Sequence, residues 1–223
     1  MVTYFLRDNP SGTYAFNWDT SGASTAIRQV FDLFSNVANI TFEEVFTEAS
    51  ANLIQTSGSA DGALAFHFFP GDNGNNQSLG EYNTTQSFWT SAGLVQGGYA
   101  FNLLIHELGH GLGLEHPFDG DTLSLVSNSN DYGDFGLNQG VFSVMSYNDG
   151  WLGTNQFYNA GYGSAGTPMA FDIAALQALY GANMSHATGD DVYALVDSNG
   201  SGTFYSTIWD AGGADSITYD GSS

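Results

Sequence analysis

Three histidines fall within eleven residues near the middle of the chain, at His106, His110 and His116. His106 and His110 are four residues apart, so on a helix both imidazoles project from one face and can share one metal ion. Glu107, beside the first of them, can reach a metal-bound water without binding the metal itself. The pattern predicts a zinc site with the three histidines as ligands and Glu107 as the general base.

The third ligand requires the chain to change direction. If the helix continued past His110, His116 would lie about 9 Å farther along the axis, too far away to share an ion. Gly113 can adopt the positive φ that ends a helix and reverses the chain. Three histidines leave the fourth tetrahedral position open for water, which is typical of a catalytic zinc. Histidine pairs with this spacing also occur on ordinary helices, but here the glycine and third histidine fall where the geometry requires them.

Charge and composition exclude several classes of protein. The 223 residues include 23 acidic ones, two arginines and no lysine, which gives a formal net charge of −21. Two arginines cannot form a phosphate-binding surface, so we expect neither nucleic-acid binding nor attachment to an anionic membrane. The acidic surface indicates high solubility, a salty habitat or binding of calcium. The chain has no cysteine, so zinc ligands must be histidines or carboxylates.

The sequence shows no apolar run of about 18 residues that could cross a bilayer, and no basic and apolar leader at its start. From composition alone, either a cytosolic location or export by a signal outside this segment is open.

The hydrophobic pattern predicts the elements that must position these residues. Strands are predicted over 2–6, 40–46, 52–56 and 63–69, and the Gly/Asn-rich run 71–80 is a poor candidate for regular structure. A helix over 24–37 would be capped by Ser24, and a second over 98–111 carries the metal motif. A third would have Thr167 as its cap, Pro168 at its first position and Gly181 just past its end. Beyond residue 184 the pattern changes to short strands, so we predict a catalytic domain over 1–184 and a β-rich tail over 185–223.

The run from His106 to His116 resembles the zinc-binding motif of the metzincins. Residues 143–147 resemble the Met-turn of that clan, with Met145 as the apolar floor of the site. Pro117, Tyr147 and the segments 167–177 and 179–184 are most similar to the serralysins, secreted bacterial proteases. The resemblance implies an α+β metzincin fold, with a twisted, mostly parallel sheet, an active-site helix, a C-terminal helix and a short β-rich tail. It also implies a zinc endopeptidase acting on proteins or peptides.

The resemblance implies further roles. Tyr147 would bind zinc in the resting enzyme and stabilise the transition state during catalysis; without the resemblance, it would be interpreted as a buried aromatic residue with a hydrogen-bonded hydroxyl. The segment Ala65, Phe66 and His67 would form the edge strand along which an extended substrate lies. From spacing alone, His67 and His186 are expected to be structural or solvent-facing rather than metal ligands.

Calcium is also implied by the resemblance. Serralysins carry a C-terminal β-roll of repeats that bind Ca²⁺, and this chain is expected to contain only its beginning, because no G-G-x-G-x-D run precedes Ser223. Six positions match calcium ligands at the domain junction: Ala187, Gly189, Asp191, Asp210, Gly212 and Asp215. The alternative is an ordinary Asp-Gly turn.

The resemblance favours a secreted monomer, exported by a signal that is not present in this segment, and the sequence identifies no proteinaceous inhibitor. An alternative function is a catalytic-like module of a larger acidic, calcium-binding surface or adhesion protein. Glu107 argues against this alternative, since a pure binding module has no use for a general base.

Overall fold

The computed structural model describes residues 1–72, 77–120, 126–152 and 159–221. The strands of its main sheet are β1 (Val2–Leu6), β2 (Phe42–Glu44), β3 (Leu53–Ser57), β4 (Ala65–His67) and β5 (Ser78–Tyr82). They are arranged in the order β2-β1-β3-β5-β4. All neighbours pair in parallel except β4, which is antiparallel to β5. This sheet confirms the expected α+β fold with a mostly parallel sheet.

In the described ranges the sheet is accompanied by four α-helices: α1 (Trp18–Ser21), α2 (Ala23–Val37), α3 (Tyr99–Gly111) and α4 (Ala170–Tyr180). Single 3₁₀ turns are formed by Glu48–Ser50, Ala60–Gly62 and Asp134–Gly136. Helix α2 buries its apolar face: Phe31 packs its ring 4.4 Å from that of Tyr4 on β1 and 4.3 Å from that of Phe42 on β2. Helix α3 buries Leu104 and Leu108 completely. Because each fully buried large apolar side chain stabilises the fold by about 1.5–3 kcal/mol, this core fixes α3 in place.

The two predicted helix caps are wrong, and in both cases a neighbouring contact explains why. Ser24 lies inside α2 and is buried, because the chain turns two residues earlier at Gly22, whose φ of 83° ends α1 and starts α2. Helix α4 begins at Ala170 and is not capped by Thr167. The carboxylate of Asp172 accepts a hydrogen bond from the amide of Met169, the residue that precedes the helix.

The run 71–80 does contain part of a strand, since β5 begins at Ser78; residues 73–76 lie outside the described residues. Ser78 and Gly80 are typical of loops by residue type. Pairing with β3 on one side and β4 on the other makes them part of the sheet.

The end of the chain forms the β-rich tail that the sequence predicts, a parallel pair of strands, β6 (Val192–Leu195) and β7 (Ser216–Tyr219). Trp209 Nε1 donates to the carbonyl of Asn183 at 2.9 Å, and the amide of Gly166 donates to the carbonyl of Tyr205 at 2.9 Å. A domain boundary at residue 184 stays a prediction. Among the described residues, no helix is both long and apolar enough to cross a membrane.

Candidate active site

Helix α3 and the turn after it bring the three histidines together. The helix ends at Gly111, and Gly113, with φ of 98°, reverses the chain so that the amide of Leu114 bonds back to the carbonyl of Gly109 at 2.9 Å. His116 thereby returns to the helix face that carries the other two rings. The turn lies at the glycine where the spacing requires it.

The Nε2 atoms of the three rings converge on one point. Nε2 of His116 lies 3.1 Å from that of His110 and 3.3 Å from that of His106. Nitrogens that bind one tetrahedral zinc at 2.0–2.1 Å lie about 3.3 Å from one another. The spacing of the three rings therefore fits a zinc ion.

The hydrogen bonds at the back of each ring fix which nitrogen carries the proton. Each Nδ1 lies beside an oxygen that only accepts: the carbonyl of Val144 for His106 at 2.8 Å, the carbonyl of Leu114 for His110 at 2.7 Å, and the Asp119 carboxylate for His116 at 2.6 Å. Nδ1 must therefore donate, and in the neutral ring each Nε2 then holds a lone pair directed at the other two. Burial lowers the pKa of His106 to about 3 and that of His110 to about 4, so these rings are neutral. Three lone pairs facing one another repel unless a cation lies between them.

Glu107 is 4% exposed, and its Oε2 atom is buried without a hydrogen-bond partner in the described part of the chain. Burial raises the pKa of Glu107 to about 8. A cation held by the neighbouring histidines would lower that pKa again, since an opposite charge favours the carboxylate. An unpartnered buried carboxylate oxygen is costly in a purely structural role, and it suits a group that binds and moves a proton.

The predicted Met-turn lies directly under the metal ligands. Met145 is 1% exposed, and a Cβ added at Gly109 would lie 2.9 Å from its Sδ, so the thioether packs against the turn of α3 between the first two histidines. The adjacent Val144 accepts the hydrogen bond from His106. The predicted Met-turn therefore closes the site below and orients His106.

Two carboxylates that support the site were not singled out from the sequence. Asp119 orients His116 through a hydrogen bond to Nδ1. Its position three residues after that histidine could have indicated this contact from the sequence. Asp172 on α4 accepts from the Ser143 hydroxyl at 2.7 Å and from the amide of Val144 at 2.8 Å. The available signal for Asp172 was that it is the one charged residue of its helix.

Tyr147 stands at the open side of the site. Its ring lies 4.8 Å from that of His116 and 5.8 Å from that of His106, and the residue is 58% exposed. Burial of part of the side chain raises its pKa, and the charges of Glu107 and Asp119 act in the same direction. Phe118 stacks on His116 at 4.7 Å and meets Tyr147 edge-on at 4.9 Å, so the phenol rests against an aromatic wall. The exposed phenol differs from the buried aromatic expected without the family resemblance.

Ala65, Phe66 and His67 form β4, the last strand of the sheet order, on the side of α3. Ala65 and Phe66 are half-buried, whereas His67 is buried. The ring of Phe69, just beyond β4, lies 5.4 Å from that of His110, so this edge of the sheet runs beside the metal ligands.

The six predicted calcium positions lie on two loops that face each other in the tail. Carboxylate oxygens of Asp191, Asp210 and Asp215 lie within 4.8 Å of one another. The carbonyl of Ala187 accepts the amide of Ala211 at 3.2 Å. Gly212 and Gly189, the other two positions, are packed just as closely. The amide of Gly212 donates to Asp210 Oδ1 at 3.0 Å. A Cβ added at Gly213 would lie only 1.8 Å from the carbonyl oxygen of Gly189, so the two loops touch there. Carboxylates and carbonyls grouped in this way are the ligands that Ca²⁺ prefers.

Comparison with known families agrees with this geometry. The family profile Peptidase_M10, described as Matrixin, matches residues 2–139. The chain belongs to the matrixin family. This matrixin is 38% identical to Serralysin C of Dickeya chrysanthemi over 207 residues, and this match covers 84% of the chain. It is 34% identical over 236 residues to Serralysin G of the same organism, and 30% identical over 237 residues to Metalloprotease AprA of Pseudomonas entomophila, each covering 97% of the chain.

These similarities support a serralysin-like metzincin catalytic domain. The matched regions make up only 41%, 46% and 48% of the three relatives, so the matrixin spans less than half of their length.

Proposed function

We propose that this matrixin is a zinc-dependent endopeptidase that cleaves proteins or peptides. The observation that carries the proposal is the convergence of the three Nε2 atoms beside the unpartnered Oε2 of Glu107. Nε2 of His116 lies 3.1 Å from that of His110 and 3.3 Å from that of His106. His106, His110 and His116 would hold the ion, and the relatives named serralysin or metalloprotease favour the same chemistry.

In this mechanism, His106, His110 and His116 would hold the zinc ion, which when bound would supply a Lewis acid for the scissile carbonyl and lower the pKa of water toward neutral. Glu107 accepts the proton of the attacking water on its carboxylate and then donates it to the leaving amine nitrogen. Tyr147, at the open side of the three histidines, would bind the metal at rest and would donate a hydrogen bond to the developing oxyanion during hydrolysis. The buried Met-turn and Asp172 keep the first ligand in its orientation.

An extended substrate would lie along the outer edge of β4, which pairs with no further strand among the described residues and whose backbone groups can add one. A cavity of about 260 Å³, lined in part by Asn102, Val144 and Ser146, would receive a substrate side chain.

The tail contributes a second, calcium-dependent element to the proposal. Asp191, Asp210 and Asp215, with the carbonyls of Ala187 and Gly189, would bind one Ca²⁺ and tie the two tail loops together. Residues 1–184 would then form the catalytic domain, and 185–223 the start of a calcium-binding β-roll. We also propose a secreted bacterial protein, since the relatives named above come from Dickeya and Pseudomonas.

The proposal is tested by incubating the zinc-loaded protein with an unfolded protein such as casein. We expect cleavage that a zinc chelator abolishes and added zinc restores. Glu107→Gln should keep one zinc per chain and lose about 10²–10⁴-fold in rate, since the general base is removed and the ligands remain. Cleavage that persists with the chelator, or a Glu107→Gln protein as fast as the wild type, would overturn the proposal.

A further inference from the structure

The ring of His67, on the edge strand β4, is buried between β5 and helix α3, and the proposed mechanism makes no use of it. A Cβ added at Gly80 on β5 would lie 2.5 Å from its Cδ2, and a Cβ added at Gly111 on α3 would lie 2.6 Å from its Cε1. Side-chain carbons do not approach this closely, so only glycine at both positions leaves room for the ring. We call the space between Gly80 and Gly111 the glycine slot.

Hydrogen bonds fix the ring in the glycine slot in a single orientation. The hydroxyl of Tyr82 donates to Gln55 Oε1 at 2.8 Å, which leaves Gln55 Nε2 to donate to His67 Nε2 at 2.9 Å. His67 Nδ1 must then carry the proton, and it donates to the carbonyl of Phe68 at 2.9 Å. Gln55 and Tyr82 are completely buried. A buried polar network in which every member is satisfied specifies one arrangement of the elements that carry it.

The residue held in the slot is also one that presents its backbone to the free edge of the sheet. The amide of Phe68 donates to the carbonyl of Leu79 on β5 at 3.0 Å. In an antiparallel pair, alternate residues bond to the partner strand, so the backbone N–H and C=O groups of Ala65 and His67 point away from β5. These groups are the ones with which an added strand would pair.

We propose that His67 is a positioning residue. Its side chain, held in the glycine slot, fixes the position of the substrate-binding edge of β4 relative to the three histidines. The inference rests on the proposed peptidase function. Gly111 directly follows His110, so the slot joins β4 to the helix turn that carries a metal ligand. A peptide paired with Ala65 and His67 would therefore meet the metal centre in a fixed register. Loss of the ring would let the edge move while the three metal ligands stay in place.

The test compares two peptides with the same residues around the scissile bond, one of four residues and one of eight. The eight-residue peptide can pair along β4, whereas the four-residue peptide is held mainly at the metal. In the zinc-loaded His67→Leu protein we expect kcat/KM for the long peptide to fall about tenfold or more, as expected when edge hydrogen bonds are weakened and misaligned. The value for the short peptide should change less than about twofold. His67→Gln should retain the length preference, because its amide can accept from Gln55 and donate to the carbonyl of Phe68.

Val30→Ala is the matched control. Val30 is completely buried on α2 and takes no part in the glycine slot or the metal site. It should lower the free energy of unfolding without changing the ratio of the two kcat/KM values. If His67→Leu lowers both values in equal proportion, as a general loss of stability would, the positioning role is refuted.

A binding measurement separates this inference from the peptidase proposal. In the Glu107→Gln background we expect the long peptide to bind more tightly than the short one, and His67→Leu to abolish that difference. This result would support the positioning role even if the wild-type protein cleaves neither peptide, an outcome that would overturn only the peptidase proposal. Equal affinity of the two peptides in the Glu107→Gln protein would overturn the positioning role.

Discussion

Asp172 connects helix α4 to the Met-turn, and removing its carboxylate should cost both stability and metal affinity. Its Oδ2 accepts the buried amides of Val144 at 2.8 Å and Met169 at 2.7 Å. In Asp172→Ala both amides lose their acceptor, and each unsatisfied buried donor costs about 1–3 kcal/mol. We therefore expect the free energy of unfolding to fall by about 2–6 kcal/mol. The Ser143 hydroxyl, which donates to Oδ1, can rotate to another acceptor and is left out of this sum.

Asp172→Asn is the matched control, since its side-chain oxygen can still accept both amides and its NH₂ group can donate to Ser143. We expect this variant to lose less than about 1.5 kcal/mol. Urea denaturation of the zinc-loaded proteins measures both values. Because the carbonyl of Val144 orients His106, zinc affinity measured by competition with a chelator should fall about 10–100-fold in the alanine variant alone. Equal free energies of unfolding for the alanine and asparagine variants would refute the reasoning.

Two further predictions concern the open side of the site and the tail. Tyr147→Phe should keep one zinc per chain and lower kcat about 10–100-fold with little change in KM, because a hydrogen bond made only in the transition state is removed. An unchanged kcat would exclude Tyr147 from the reaction. Calcium at 100 times its dissociation constant should stabilise the folded protein by about 2.7 kcal/mol, seen as a rise in the melting temperature. Asp210→Asn should remove that rise and Asp61→Asn, in a distant turn, should not; a calcium effect that survives Asp210→Asn would place the ion elsewhere.

The parts of the fold that could be predicted are those encoded by local pattern. Strand β1 has the predicted bounds, and α3 differs by one residue from the predicted helix over 98–111. The turn at Gly113 could be predicted as well, because the spacing of the histidines leaves no other way for His116 to reach the ion. In these segments residue type, periodicity and metal geometry all favour the same structure.

The parts that could not be predicted depend on contacts between residues far apart in the chain. Gly80 has the residue type of a loop, and its place in β5 depends on pairing with β3 and β4 and on leaving room for the ring of His67. Asp172 accepts the amide hydrogen bond at the start of α4 that a Thr167 cap was predicted to accept. The same carboxylate also accepts from Val144 in the Met-turn, 28 residues earlier in the chain. The hydrogen bond between Gln55 and His67 likewise joins two strands, with no sequence signal at either residue. The roles of such residues can be recognised only once the fold has brought their partners together.

The metal content of the purified protein tests the central claim most directly. After incubation with zinc and removal of the unbound metal, elemental analysis of the wild-type chain should give one zinc per chain. His110→Ala should give none at the same zinc concentration, because two remaining nitrogens cannot hold a tetrahedral site. His186→Ala, which alters a histidine on a tail loop, should again give one. A wild-type protein without zinc, or a His110→Ala protein that retains it, would contradict the proposed metal centre.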